Sequence, residues 1–213
     1  MIEIIFGNIG SGKTTYGARL VYKNNKKKLL VKRFPFLRLF LRPYDRIYCN
    51  EPTMKDTIYF PASDIGKYRL PHNSLFIIDE AGIELSNRNW KKQEWYVKNE
   101  AALSRHRGHD YLLLSQVVDI DIVWRQRCHS MAILNKRGSR TLVEHIKYKI
   151  DVDNEKHEVV EYYSKYDGLL ERLLAIILRR IYSFNRKKYY KMFDSFVDNY
   201  PYPEDQTPAK YLI

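Results

Sequence analysis

Only two cysteines, Cys49 and Cys128, occur among the 213 residues. Neither falls in a CxxC pair or a Cys/His cluster, which excludes a disulfide framework or a zinc finger. A reducing, cytoplasmic setting is therefore expected. The six histidines, His106, His109 and His129 among them, show no metal-ligand spacing and read as structural. Long apolar runs are missing as well. The longest after the N-terminus, residues 173–178, has six residues, against the roughly 20 needed to span a bilayer. The opening run, residues 2–6, is short and leads straight into a glycine-rich loop, which is not the layout of a secretory leader. No internal repeat is present.

Positive charge, by contrast, is abundant. The formal net charge is +12, and such an excess speaks to partners rather than fold: nucleic acid or an anionic membrane surface. Hydrophobic residues make up 45% and charged residues 29%, ordinary for a folded domain. Tyrosine is frequent at 18 residues, and nothing in the pattern explains it.

Along the chain, residues 2–6 read as a buried strand and 14–22 as the helix after the glycine loop. The run Lys26-Lys27-Lys28 is expected to close that helix, since cations suit a C-terminal dipole end. Residues 29–44 mix Phe34, Phe36, Leu39 and Phe40 with Arg33, Arg38 and Arg42. They read either as an amphipathic insertion lying on a polyanion or as a packed connection with solvated arginines. Strands are predicted at 47–50, 58–60, 74–78 and 111–115, and helices at 95–105 and 119–126. A small β-meander is predicted from 131–136, 141–148 and 158–163. The composition shifts near Tyr166, so we expect a core domain at 1–165 and a basic helical extension at 166–213, its tail from Pro201 extended. Within that extension, Leu169, Leu170, Leu173, Leu174, Ile177, Leu178 and Ile181 share one helical stripe. It reads as a face packed on the core or on a partner subunit, with a membrane-surface helix as the alternative.

The chemistry concentrates in Gly7-Asn8-Ile9-Gly10-Ser11-Gly12-Lys13-Thr14-Thr15, a phosphate-loop pattern with a strand before it and a helix after it. Glycines let successive backbone N–H groups curl towards the phosphates, and the helix presents its positive end to them. Lys13 reaches the β- and γ-phosphates, and the Thr14 hydroxyl ligates Mg²⁺. Further along, the apolar run Leu75-Phe76-Ile77-Ile78 ends in Asp79-Glu80. The end of such a strand is where open α/β sheets bind ligands. There Asp79 would hold the Mg²⁺ shell and Glu80 would act as general base towards the attacking water. At the end of another strand, Ser115 or Gln116 is placed to sense the γ-phosphate, if that strand lies beside the other two. Arginines flank that strand: Arg105 and Arg107 before it, Arg125 and Arg127 after it. Arginine stabilises transferring phosphoryl charge, in cis or from a neighbouring subunit.

The order of these motifs resembles the zonular occludens toxin (Zot) family, which includes filamentous-phage assembly ATPases related to FtsK/HerA-type DNA motors. The resemblance rests on the segments Ile4 to Thr14, Ile47-Tyr48-Cys49-Asn50, Tyr68-Arg69-Leu70-Pro71 running into Ser74 to Ala81, and Ser104-Arg105-His106-Arg107-Gly108-His109-Asp110 running into Tyr111 to Gln116. It covers roughly residues 1–150. It implies ATP-driven extrusion or packaging of single-stranded phage DNA at the host inner membrane, with Lys13 and Thr14 for nucleotide and Mg²⁺, Asp79 and Glu80 for hydrolysis, and Gln116 as sensor. Family members usually continue through a membrane-spanning helix. Here membrane contact is expected to be peripheral, through residues 169–181 or 34–41, or to be provided by a partner.

The expectation is thus an α/β P-loop sandwich with a mostly parallel sheet, a β-meander and C-terminal helices. The expected function is a Mg²⁺-dependent ATPase acting on DNA, as a ring completed by a neighbour's arginine. A small-molecule or nucleotide kinase and an ATP-switched scaffold are the alternatives.

Overall fold

The computed structural model describes residues 1–85, 95–116, 120–153, 158–166 and 168–193. Its centre is a nine-stranded sheet. Six strands run parallel: β1 (Ile2–Phe6), β2 (Arg46–Cys49), β3 (Ile58–Tyr59), β4 (Ser74–Ile78), β5 (His109–Ser115) and β6 (Ser130–Arg137). Their order across the sheet is β3-β2-β4-β5-β1-β6. The meander follows as β7 (Arg140–Asp153) and β8 (Glu158–Ser164), antiparallel to β6 and β7 in turn. A ninth strand, β9 (Ile181–Asn185), pairs antiparallel with the first residues of β7.

Side-chain alternation gives the sheet two buried faces. Ile2, Ile4 and Phe6 of β1, with Phe76, Ile78, Tyr111 and Leu113, pack against α4 (Trp95–Leu103) and α5 (Ile122–Gln126) through Val97, Ala101 and Trp124. Ile5, with Ile77, Leu112 and Leu114, packs on the other face against α1 (Lys13–Arg33) through Tyr16, Ala18 and Val21. The result is the expected P-loop α/β sandwich.

Three sequence expectations change. The helix after the loop does not stop at the lysines but runs on to Arg33. Lysine is a good helix former, and the first breaker is Pro35, which pushes Phe34 out of the helical region; its φ of −133° is extended. Beyond it, α2 (Arg38–Leu41) is a single turn with no buried residue. The C-terminal stripe is not one helix to Ile181. α6 (Leu169–Ile177) ends before Arg179, whose φ is +55°, and Ile181 begins β9. Nor is the stripe packed on the core: Ala175 is the one buried residue of α6. Asp119 and the tail from Pro201 lie outside the described residues. Among the described residues no helix is long and apolar enough to cross a membrane.

Candidate nucleotide site

Because six strands are parallel, their carboxyl ends share one edge, and the loops leaving them converge there. The glycine loop leaves β1, Asn50 follows β2, Asp79 and Glu80 follow β4, and Gln116 follows β5. β5 lies between β1 and β4, so the condition set for Gln116, that its strand lie beside the other two, is met.

The loop is curled as its sequence requires. Gly10 has φ +72° and Gly12 φ +99°, a region that glycine enters without strain. Ser11 N–H donates to Asn8 O at 3.0 Å, and Gly12 caps the N-terminus of α1. Lys13 Nζ donates to Gly7 O at 3.0 Å across the mouth of the loop. The Ser11 hydroxyl is buried and lacks a partner among the described residues.

The Thr14 hydroxyl donates to Asp79 Oδ2 at 2.6 Å. A hydroxyl and a carboxylate this close are a hard-oxygen pair of the kind Mg²⁺ takes alongside phosphate oxygens, so the residues fit that ion. Burial pushes the Asp79 carboxyl above its ordinary range, against the lowering effect of the Thr14 and Glu80 hydrogen bonds. Asn50 clamps the same residue at two points: its Oδ1 accepts from Asp79 N–H at 2.6 Å and its Nδ2 donates to Asp79 O at 3.0 Å. Glu80 takes φ +51°, a left-handed conformation costing a non-glycine residue about 1–2 kcal/mol. Strain of this kind concentrates at functional sites. Gln116 Nε2 donates to Glu80 Oε1 at 2.7 Å.

Two further residues hold the loop from behind. Thr141, fully buried on β7, donates to Ser11 O at 2.7 Å. Arg186, directly after β9, donates from Nη1 to Gly10 O at 2.8 Å and from Nη2 to Gly138 O in the β6–β7 turn. Its backbone N–H donates to Ser139 O at 3.0 Å. A side chain at Gly12 would meet Thr141 Oγ1 at 2.7 Å and Arg186 Cδ at 3.0 Å, so the loop and this brace are fitted to each other. Sequence reasoning gave no role to Asn50, Thr141 or Arg186. Asn50 had a signal, a polar residue directly after an apolar strand. Arg186 had none, because its partners are 176 and 48 residues away.

The arginines divide differently. Arg107 pairs with Glu100, and both Arg105 and Arg107 precede β5 while Gln116 follows it. A strand of seven residues spans about 20 Å, so neither arginine stands at the site of its own chain. Arg125 and Arg127 donate to carbonyls at Ile120 and Val123. The described residues hold no group of three metal-ligating His, Cys, Asp or Glu side chains.

No protein-family model matches the chain, and no curated protein matches it. Solved structures similar to it include the N-terminal domain of zonular occludens toxin from Neisseria meningitidis, at 15% identity and TM-score 0.49, covering 91% of this chain and 98% of that one. The genome packaging NTPase of Sulfolobus turreted icosahedral virus 2, solved with ATP-gammaS, is similar at 14% identity and TM-score 0.42, covering 76% and 95%. A KaiC-like protein from Pyrococcus horikoshii OT3 is similar at 12% identity and TM-score 0.44, covering 76% and 88%.

Proposed function

We propose that this protein is a Mg²⁺-dependent ATPase, and that it uses hydrolysis to move single-stranded phage DNA during packaging or extrusion. The observation that carries the enzymatic part is the 2.6 Å hydrogen bond between the Thr14 hydroxyl and Asp79, made between the loop after β1 and the end of β4.

In this reading the amides of residues 8–14 hold the triphosphate, and the Lys13 amine exchanges the Gly7 carbonyl for phosphate oxygens. Thr14 and Asp79 would hold Mg²⁺, which neutralises charge on the β- and γ-phosphates when bound. Glu80 takes the proton of the attacking water as its oxygen bonds to the γ-phosphorus, and ADP leaves. Gln116 orients the Glu80 carboxylate and reports the γ-phosphate to β5. A side chain kept in a strained backbone position for water activation suits hydrolysis better than transfer to a small acceptor, which places the kinase reading second. Arg105 and Arg107 are too distant to serve their own site. Arg105, which is exposed, is available to a neighbour's nucleotide, which supports a ring, whereas Arg107 is held by Glu100. The DNA substrate rests on the motif resemblance and the +12 charge. Peripheral contact with the inner membrane is part of the same reading, with the exposed apolar residues of α6 as its surface.

The test is ATP hydrolysis by the full chain with and without single-stranded DNA, with Lys13→Ala and Glu80→Gln as controls. Hydrolysis that DNA stimulates and both substitutions remove supports the motor. ATP binding without hydrolysis would move the assignment to a nucleotide-switched scaffold.

A further inference from the structure

The opposite edge of the sheet, where the parallel strands begin, carries two cationic hollows side by side. The first has a cavity of about 530 Å³ between the approaches to β4 and β5, with Lys67, Arg69, His72, His106 and His109 among its lining. The second, of about 520 Å³, lies between the end of α1 and the approach to β2, with Lys28, Lys32, Arg38 and Arg42 in its lining. His72 lines the one and Asn73 the other, so the two meet at consecutive residues.

The first hollow is built rather than incidental. Gly108 takes φ +67°, and a Cβ there would meet His72 Nδ1 at 3.2 Å; this close approach fixes the two walls against each other. Its floor is His109, 3% exposed. The ring's Nδ1 sits 2.7 Å from Glu100 Oε1, a buried carboxylate that also accepts from Tyr111 and Arg107. With Nδ1 engaged there, Nε2 is the free position, and it is buried without a partner among the described residues. In the second hollow Lys28 donates to the Asp45 carbonyl. The same short segment that supplies Arg38 and Arg42 carries exposed rings, Phe36 and Phe40, 65% and 77% exposed.

We infer that this edge is a docking surface for a single-stranded nucleic acid, its successive phosphates seated in the two hollows and its unpaired bases stacked on the phenylalanines. Two adjacent anion seats select a polyanion over a lone phosphate, and exposed aromatic faces beside cations are what unpaired bases recognise. A duplex hides those faces. The proposed function names DNA but gives it no place; this assignment does, and it stands whether or not the chain hydrolyses ATP.

The experiment is fluorescence anisotropy of a labelled thymidine oligonucleotide of about 20 residues, titrated with the full chain at several salt concentrations. Arg69→Ala/His106→Ala tests the first hollow, Arg38→Ala/Arg42→Ala the second and Phe36→Ala/Phe40→Ala the stacking. All six side chains are exposed, so the thermal midpoint and ATP affinity should match the parent. Each cationic pair should weaken oligonucleotide binding about tenfold and flatten the salt dependence by roughly 0.7 for every phosphate that is no longer neutralised. The phenylalanine pair should weaken binding without changing that slope. Parent-like affinity in all three variants would overturn the assignment. So would variants that keep the oligonucleotide but release phosphatidylserine vesicles, which would make this a lipid surface. Loss of ATP hydrolysis in the parent leaves this test intact, so the two readings fail separately.

Discussion

The two edges of the parallel sheet differ in how their polar groups are arranged. At the carboxyl edge nearly every one is already engaged by another: Lys13 by Gly7, Thr14 by Asp79, Asn50 by Asp79, Gln116 by Glu80, Arg186 by Gly10. Acids stand among the donors, and the arrangement is a closed constellation that a ligand enters by exchange. At the amino edge Arg69, Lys32, Arg38 and Arg42 line open hollows, Lys67 and Lys28 being tied to Asp64 and to the Asp45 carbonyl, and Glu100 gathers the buried pairs beneath. Closed networks give geometry, which suits chemistry. Open cationic surfaces give attraction without register, which suits a polymer that must slide. On the proposed reading, reaction belongs to one edge and grip to the other.

The sharpest way to break this contrast is to remove the base. Glu80→Gln should lower the rate of ATP hydrolysis by about 10²–10⁴-fold while leaving ATP and oligonucleotide affinity at parental values. A fall in oligonucleotide binding would mean that the edges are not separate. Next in size is Glu100→Ala, which leaves His109 and Arg107 without their buried counter-charge. It should cost about 3 kcal/mol in denaturant unfolding. The pH sign follows from the same residue. Burial raises its carboxyl, but His109, Tyr111 and Arg107 outweigh burial and hold it below its ordinary value. Its stabilising contribution is therefore complete above the unfolded value, about 4.3, and is lost as pH falls further. Acid unfolding followed by circular dichroism should show this limb in the parent and a weaker one in Glu100→Gln.

Arg186→Ala comes third. It frees two carbonyls of their donor and should weaken ATP binding about tenfold, roughly one hydrogen-bonded charge, with a smaller effect on the hydrolysis rate at saturating ATP. Arg186→Lys keeps the charge but not the fork that reaches both carbonyls. Isothermal titration should place it nearer to Ala than to the parent. The smallest effect belongs to α6. Leu173→Lys and Ile177→Lys change side chains 51% and 74% exposed, so unfolding free energy should move by less than about 0.5 kcal/mol. Sedimentation with anionic vesicles then tests whether the exposed face touches lipid.

What was legible in the sequence was what is local. The loop, its flanking strand and helix, and the acids ending β4 each fit within a short window, where turn chemistry and apolar runs determine the outcome. The meander was legible because Arg137-Gly138-Ser139 marks its first turn. The Gln116 position could be read only as conditional, since strand order is a tertiary fact: β5 had to lie between β1 and β4 for its end to reach Glu80. The break in the C-terminal stripe was hidden because Ile181 continues the apolar spacing, while the residue that stops the helix, Arg179, has no preference for the left-handed conformation it adopts. The outward apolar face of α6 was hidden for a related reason, as periodicity reveals that a face is apolar but not what covers it. The brace from Thr141 and Arg186 joins residues far apart in the chain, and no window contains it.

That brace also orders events in time. The phosphate loop leaves the ribosome well before its support does, because Arg186 is made 176 residues after Gly10. While the chain is being synthesised, the loop has its glycines and its lysine but not the guanidinium that steadies its carbonyls. If the proposed site binds nucleotide, a nascent chain should therefore bind it poorly, and competence should arrive late, when β9 joins the sheet.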